Sequence, residues 1–356
     1  MKMSMEAKNK IVIMALAVFM AISLTACSGR SGWPIFGGPN YQGEDDTPFT
    51  SKAHTGLYGL VLKFTNSNPP RTVYYSGPGT PFDVILEMRN RGAEDVIGGY
   101  IYLSGYDRNI IEPGVIGHSD FPNVPIRFDL EGVTNFNPEG GYTTIEFQNT
   151  IQRWPEGVDQ YEPNFRVSAC YEYRTIANPV VCIDPHPYSA LEEKKVCRVR
   201  NIAMAGGQGA PIEVSSIEEE ATESFVYFRI HVKNSQTRGV VYDPLRVDYN
   251  PDGPSCPFNL QYQDINKIYY YPPVFTGSGD YNPTLVECKP GDPIPGENGG
   301  VRYPVRLVDN RAIIYCKYSI PSTLNEVYQT PLSIIFDYGY LDYEEQKISI
   351  RNVADG

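Results

Sequence analysis

The residues with the most chemistry to offer are the seven cysteines, at positions 27, 170, 182, 197, 256, 288 and 316. Setting Cys27 aside leaves six, and an even number in an oxidising compartment reads as a disulfide framework. Metal binding is the competing chemistry. Cys182-Ile-Asp-Pro-His186 offers three ligand types in five positions, but zinc sites use closely spaced ligand pairs, and the chain has no Cys-x-x-Cys. Asp248 and Asp252, in Asp-Tyr-Asn-Pro-Asp-Gly, could offer oxygen ligands to calcium. They lack the closing bidentate glutamate of a calcium loop, so an ordinary turn is preferred. The four histidines, His54, His118, His186 and His231, fall in no His-Glu-x-x-His pair. Neither a Gly-x-Ser-x-Gly elbow nor a phosphate-cradling Gly-x-x-x-x-Gly-Lys loop is present. No catalytic residue, metal or cofactor is therefore expected, and the chain reads as not an enzyme. Tyrosine is the other unusual signal, with 27 residues. The run Tyr269-Tyr270-Tyr271 could form a binding platform for a glycan, since tyrosine combines area with a polar tip. The competing reading is that tyrosine fills half-buried strand positions.

Lys2, Lys8 and Lys10 precede an uncharged run from Ile11 to Leu24, which ends in Leu24-Thr25-Ala26-Cys27. This segment resembles a lipoprotein signal peptide with Leu-Thr-Ala-Cys as its lipobox. The resemblance implies cleavage before Cys27 and a diacylglycerol on its thiol. The uncharged run is shorter than the roughly 20 residues of a transmembrane helix, which favours a removable export signal over the alternative of an uncleaved anchor. Both readings place the rest of the chain outside the cytoplasmic membrane. Removing the leader, with three lysines and Glu6, takes the formal charge from −12 to −14. A surface this acidic repels phosphate backbones, so nucleic acid is not an expected partner.

The segments that must position these residues are short, alternating and broken by Pro, Gly and Asn, which reads as all-β. Residues 165–183 (FRVSACYEYRTIANPVVCI) align without a gap to 332–350 (LSIIFDYGYLDYEEQKISI). Val167, Ala169, Tyr171 and Tyr173 alternate in one; Ile334, Phe336, Tyr338 and Tyr340 alternate in the other, so each set shares a sheet face. A polar turn then a second apolar run makes each a predicted β-hairpin. Upstream, Val84 to Asn90 matches Phe228 to Asn234, with Val84, Leu86 and Met88, and Phe228, Ile230 and Val232, pointing inward. Each strand ends on a basic residue and Asn, with Gly92 or Gly239 following. Two elements in the same order, twice, predict duplicated domains. The predicted division is a signal peptide over 1–26, lipidated Cys27 and a tether over 27–55, and one sandwich over 56–187. A connector over 188–195 leads to a second sandwich over 196–356 with Pro/Gly-rich insertions. The chain stops just after the last predicted hairpin, so no C-terminal anchor is expected.

The predicted hairpin would place Cys170 beside Cys182 on its outer face, and the second repeat lacks both cysteines, carrying Asp337 and Ser349 instead. A Cys170–Cys182 cross-strand bridge is therefore expected. Of the three pairings left, Cys256–Cys288 with Cys197–Cys316 is preferred, because Cys256 and Cys288 lie in the two insertions. Glu218-Glu-Glu220 reads as a solvated strand end.

The strand-Asn-x-Gly pattern of VILEMRNRG resembles the immunoglobulin-like modules of archaeal and bacterial surface proteins, of the S-layer-associated and adhesion-related type. Gly206-Gly-Gln-Gly-Ala-Pro211 and the twinned Tyr segments resemble archaeal surface lipoproteins. That resemblance implies two tandem immunoglobulin-like β-sandwich domains with a non-enzymatic structural, adhesion or envelope-assembly role. The expected partners are the membrane, through the lipid, and other envelope proteins. The alternative is a glycan- or solute-binding lipoprotein using the Tyr-rich loops. No Asn-x-Ser/Thr acceptor occurs, which favours an accessory component over a heavily glycosylated lattice subunit.

Overall fold

The computed structural model describes residues 55–113, 125–189, 195–245, 248–250, 253–256, 260–277, 282–296 and 299–354. The leader, Cys27 and the tether up to residue 54 lie outside the described residues, as do Asp252, residues 190–194 of the connector and the side chain of Asp248. The chain divides into two units, Met1–Thr47, wholly outside the described residues, and the compact Pro48–Gly356.

Among the described residues the fold is all-β, without an α-helix, as the alternating segments predicted. The first half supplies β1 (Leu60–Phe64), β2 (Thr72–Tyr75), β3 (Thr80–Asn90), β4 (Val96–Ser104) and β5 (Ile111–Pro113). It continues with β6 (Ile126–Leu130), β7 (Tyr142–Ile151), β8 (Gln160–Tyr161), β9 (Asn164–Ala177) and β10 (Val180–Ile183). The second half begins with β11 (Ile202–Ala203), β12 (Ile212–Ala221), β13 (Phe225–Asn234), β14 (Val240–Tyr242) and β15 (Asp248–Asn250). Next come β16 (Gly253–Ser255), β17 (Lys267–Tyr270), β18 (Val274–Phe275), β19 (Thr284–Lys289) and β20 (Ile294–Pro295). The last four are β21 (Val301–Arg306), β22 (Arg311–Ser319), β23 (Tyr328–Lys347) and β24 (Ser349–Asn352).

The two halves have related strand arrangements. Each half owns a sheet, ordered β1-β3-β7-β5 in the first and β11-β12-β13-β22-β19 in the second. The remaining long strands of both halves join in one ten-stranded sheet along the path β20-β21-β17-β23-β9-β4-β6. The inward residues of the matched strands are as expected: Val84, Leu86, Met88, Phe228 and Ile230 are fully buried and Val232 nearly so. They belong to one continuous hydrophobic core that includes residues from Leu60 to Ile350.

This is where the structure departs from two sandwiches in series. The two repeats are not hairpins; they pair with each other. Strand β9 runs antiparallel to β23 from Ile334↔Ala177 to Lys347↔Asn164, and β10 continues in the same register from Val180↔Pro331. Asn178-Pro179, read from sequence as a turn, only interrupts the ladder: the Leu332 amide donates to the Pro179 carbonyl at 2.8 Å. Proline removes a donor but keeps its acceptor, so an extended strand passes through it. The polar stretch Asp342 to Lys347 likewise stays in the strand, because its alternate residues find partners on β9. Arg166 lies 3.4 Å from Glu345 and 3.8 Å over the Tyr343 ring, and Asn164 Nδ2 donates to Glu345 Oε2 at 3.2 Å. The halves also exchange their tails: β24 of the second pairs with β2 and β8 of the first.

Glu172 pairs with Gly339, its own counterpart in the repeat, so a pseudo-twofold axis passes between them. Around it stand four buried tyrosines whose hydroxyls hold equivalent backbone positions. Tyr171 accepts from the Leu60 amide at 3.2 Å and its counterpart Tyr338 from the Ile212 amide at 3.4 Å, at the matching starts of β1 and β12. Tyr173 accepts from the Glu94 amide at 3.2 Å, and its counterpart Tyr340 donates to the Arg238 carbonyl at 2.7 Å. The glycine of each strand-Asn-Gly signature is required here. A Cβ on Gly92 would strike the Tyr173 hydroxyl, and one on Gly239, at φ +92°, would strike the Tyr340 ring. Burial raises the phenol pKa of all four, which keeps them neutral donors and acceptors.

Candidate functional site

The six cysteines form three disulfides, Cys170–Cys256, Cys182–Cys197 and Cys288–Cys316. None of the expected pairings is present. Cys170 and Cys182 lie on one near-continuous extended run, where twelve residues at ~3.3 Å each hold them ~40 Å apart. Cys182 instead reaches back to Cys197 at a Cα separation of 5.8 Å. Cys288 and Cys316 are direct cross-strand partners on β19 and β22; both sit in alternating apolar segments, the signal that could have paired them. Cys256 is not stapled to Cys288 but to Cys170, on the outer face of the ten-stranded sheet, 86 residues away.

That bridge packs against Tyr242. Tyr242, buried beside Cys170 and Cys256, lies flat on Gly339, where a side chain would collide with its ring. Burial, with the Glu172 carboxylate nearby, pushes the Tyr242 phenol pKa up. Beside it opens a cleft of about 440 Å³ on the outer face, bordered by Asp95, Glu172, Arg174, Leu245, Arg302 and Asp337. Arg174 holds Asp337 with two hydrogen bonds, Nε to Oδ1 at 2.7 Å and Nη2 to Oδ2 at 3.0 Å. The Tyr271 hydroxyl donates to the same Oδ2 at 2.9 Å. The Arg302 guanidinium lies 4.8 Å over the Tyr269 ring, and its buried Nε has no hydrogen-bond partner among the described residues. Such a lining can exchange hydrogen bonds with a polar solute through carboxylates and guanidinium groups.

The Tyr269-Tyr270-Tyr271 run is not an exposed platform. Tyr269 and Tyr270 are buried, the Tyr270 hydroxyl donates to the Pro290 carbonyl at 2.9 Å, and Tyr271 is engaged with Asp337. High strand propensity explains this run better than binding does. Among the described residues no group of His, Cys, Asp and Glu could hold a metal ion. His231 is partly exposed and sits 2.8 Å from Glu218 Oε1.

The Glu218-Glu-Glu220 run is not uniformly solvated. Strand parity turns Glu219 inward, where it is 4% exposed and accepts the Cys182 amide at 3.0 Å. Burial pushes its carboxyl pKa up to about 8, and burial likewise raises Asp342 to about 6. Both folded-state values lie above those of the unfolded chain, so the folded protein keeps protons that the unfolded chain has lost. Their contribution is therefore most favourable below about pH 4 and declines as pH rises through 6 and then 8. Glu219→Gln is expected to remove the upper part of that decline, on the order of a few kcal/mol between about pH 6 and 9. Urea midpoints of both proteins across that range check this; parallel curves would contradict it.

No known family model matches the chain, and no curated protein matches it. Solved structures that resemble it include the secreted serine protease VesC from Vibrio cholerae, at 10% identity and a TM-score of 0.18, covering 81% of this chain and 51% of that one. The chain thus spans about half the length of that structure. A second is the C-terminal domain of the AgI/II polypeptide BspA from Streptococcus agalactiae, at 9% identity and a TM-score of 0.13, covering 82% and 98%. A third is the CupB6 tip adhesin from Pseudomonas aeruginosa, at 10% identity and a TM-score of 0.14, covering 84% and 97%. A tip adhesin is thus among the neighbours. The expectation that the chain is not an enzyme is corrected by the first of them, a protease. At these TM-scores no residue role transfers from any of the three.

Proposed function

We propose that the chain is a lipid-anchored surface protein, held outside the cytoplasmic membrane through Cys27. It presents a rigid β body to other envelope components in an adhesion or assembly role. The disulfide set carries this reading. All six cysteines of the described region are paired, a state that persists in oxidising, extracytoplasmic compartments. The lipobox-like Leu24-Thr25-Ala26-Cys27 supplies the attachment. Among the described residues no helix is long and apolar enough to cross a membrane.

Metabolic labelling with palmitate tests the anchor. The wild-type chain is expected to take up label and sediment with membranes. Cys27→Ser is expected to lose the label and move to the soluble fraction. An unlabelled wild type, or a Cys27→Ser chain that still sediments with membranes, would contradict the proposal.

A further inference from the structure

The open face of the β1-β3-β7 sheet carries a second concavity, about 620 Å³ in volume, whose chemistry is unlike that of the rest of the chain. Strand parity fixes its floor. Val61 and Lys63 on β1 and Glu87 and Arg89 on β3 all point away from the core, and the register aligns Val61 with Arg89 and Arg89 with Tyr142. Four cations line it, Lys63, Arg89, Arg91 and Arg238, against two carboxylates, Glu87 and Glu139, in a protein of formal charge −12. Arg89 is committed to Glu139 at 2.9 Å and lies 5.2 Å over the Tyr142 ring; Arg238 is committed to Glu344. Lys63 and Arg91 are exposed and their side chains have no ion pair among the described residues. Tyr58 and Tyr142 border the groove, 53% and 50% exposed.

The geometry points to a binding groove for an acidic polysaccharide, a chain of uronate-type sugars. Tyrosine faces stack against the apolar faces of sugar rings, and the guanidinium and ammonium of Arg91 and Lys63 meet carboxylates without surrendering an internal partner. The volume is within the range of small-ligand sites. Charge spacing selects against nucleic acid. Double-stranded DNA presents a charge every ~1.7 Å, which the acidic remainder of the protein repels. A polyuronate carries one carboxylate per ring and exposes sugar faces between them. The groove does not depend on lipid at Cys27, so its failure and that of the anchor are separate results.

Affinity electrophoresis of the purified full chain in native gels containing alginate, neutral dextran or polyglutamate tests this. Alginate is expected to retard the wild type, dextran and polyglutamate are not. Lys63→Ala with Arg91→Ala is expected to raise the alginate concentration for half-retardation at least tenfold, with an unchanged thermal midpoint because both side chains are exposed. Tyr142→Ala is expected to raise it severalfold, an independent readout of stacking. Absent retardation by alginate, equal retardation by dextran or by polyglutamate, or a double variant indistinguishable from wild type would each overturn the assignment.

Discussion

Replacing Tyr338 with alanine is expected to cost about 3–5 kcal/mol, the range for emptying a large buried aromatic site. Tyr338 is fully buried beside the pseudo-twofold axis. Its hydroxyl is within 2.9 Å of Thr175 Oγ1 and accepts the Ile212 amide. Truncation therefore leaves both a cavity and a buried backbone donor without its partner. Tyr338→Phe isolates the second effect, and a loss of about 1–3 kcal/mol is expected from the orphaned amide. Because Tyr171 occupies the equivalent place, Tyr171→Phe should cost a similar amount by orphaning the Leu60 amide. Urea unfolding of the three variants measures this. A Tyr338→Ala loss below about 1 kcal/mol would show that the axis is loosely packed.

The second large effect belongs to Cys170–Cys256. Its sequence separation of 86 residues corresponds to a loop-entropy stabilisation of about 4–5 kcal/mol. Replacing both cysteines with alanine should lower the unfolding free energy by roughly that amount. It should also release Tyr242 from the outer sheet face, where the bridge helps seat it. Cys182–Cys197 closes a separation of only 15 residues, so its removal should cost less, about 3 kcal/mol. Denaturant melts of the two alanine pairs give the order directly. A larger loss for the shorter loop would mean that native contacts, not loop length, set the effect.

Much of the fold was legible because period-two alternation is local. Val84, Leu86 and Met88 announce their strand and its buried face without any tertiary knowledge, and so do Tyr338 and Tyr340. The strand-Asn-Gly signature was also visible, but its purpose was not. Gly92 is needed because Tyr173, from the far end of the half, packs against it, and no local spacing encodes that meeting. The hairpin reading failed at Asn178-Pro179 because a turn and an interrupted strand share the same residues; only the partner strand decides between them. The disulfide pairing then failed with it, since it had been placed on that hairpin. Glu219 was hidden in a charge run whose solvated neighbours follow the usual rule. The basic groove was least legible. Its cations come from β1, β3, the residue just after β3 and the segment before β14, and only the tertiary fold brings them to one face.

Residues 165–183 and 332–350 lie side by side in one sheet, joining the two halves into a single body. Arg174 and Asp337 are directly opposed across that seam, at the separation a disulfide spans. A chain carrying Arg174→Cys and Asp337→Cys, oxidised and mapped by non-reducing peptide analysis, tests the register directly. A fourth bridge joining positions 174 and 337 is expected, with the three native bridges intact. Free thiols at both positions would contradict it and return the halves to separate sandwiches.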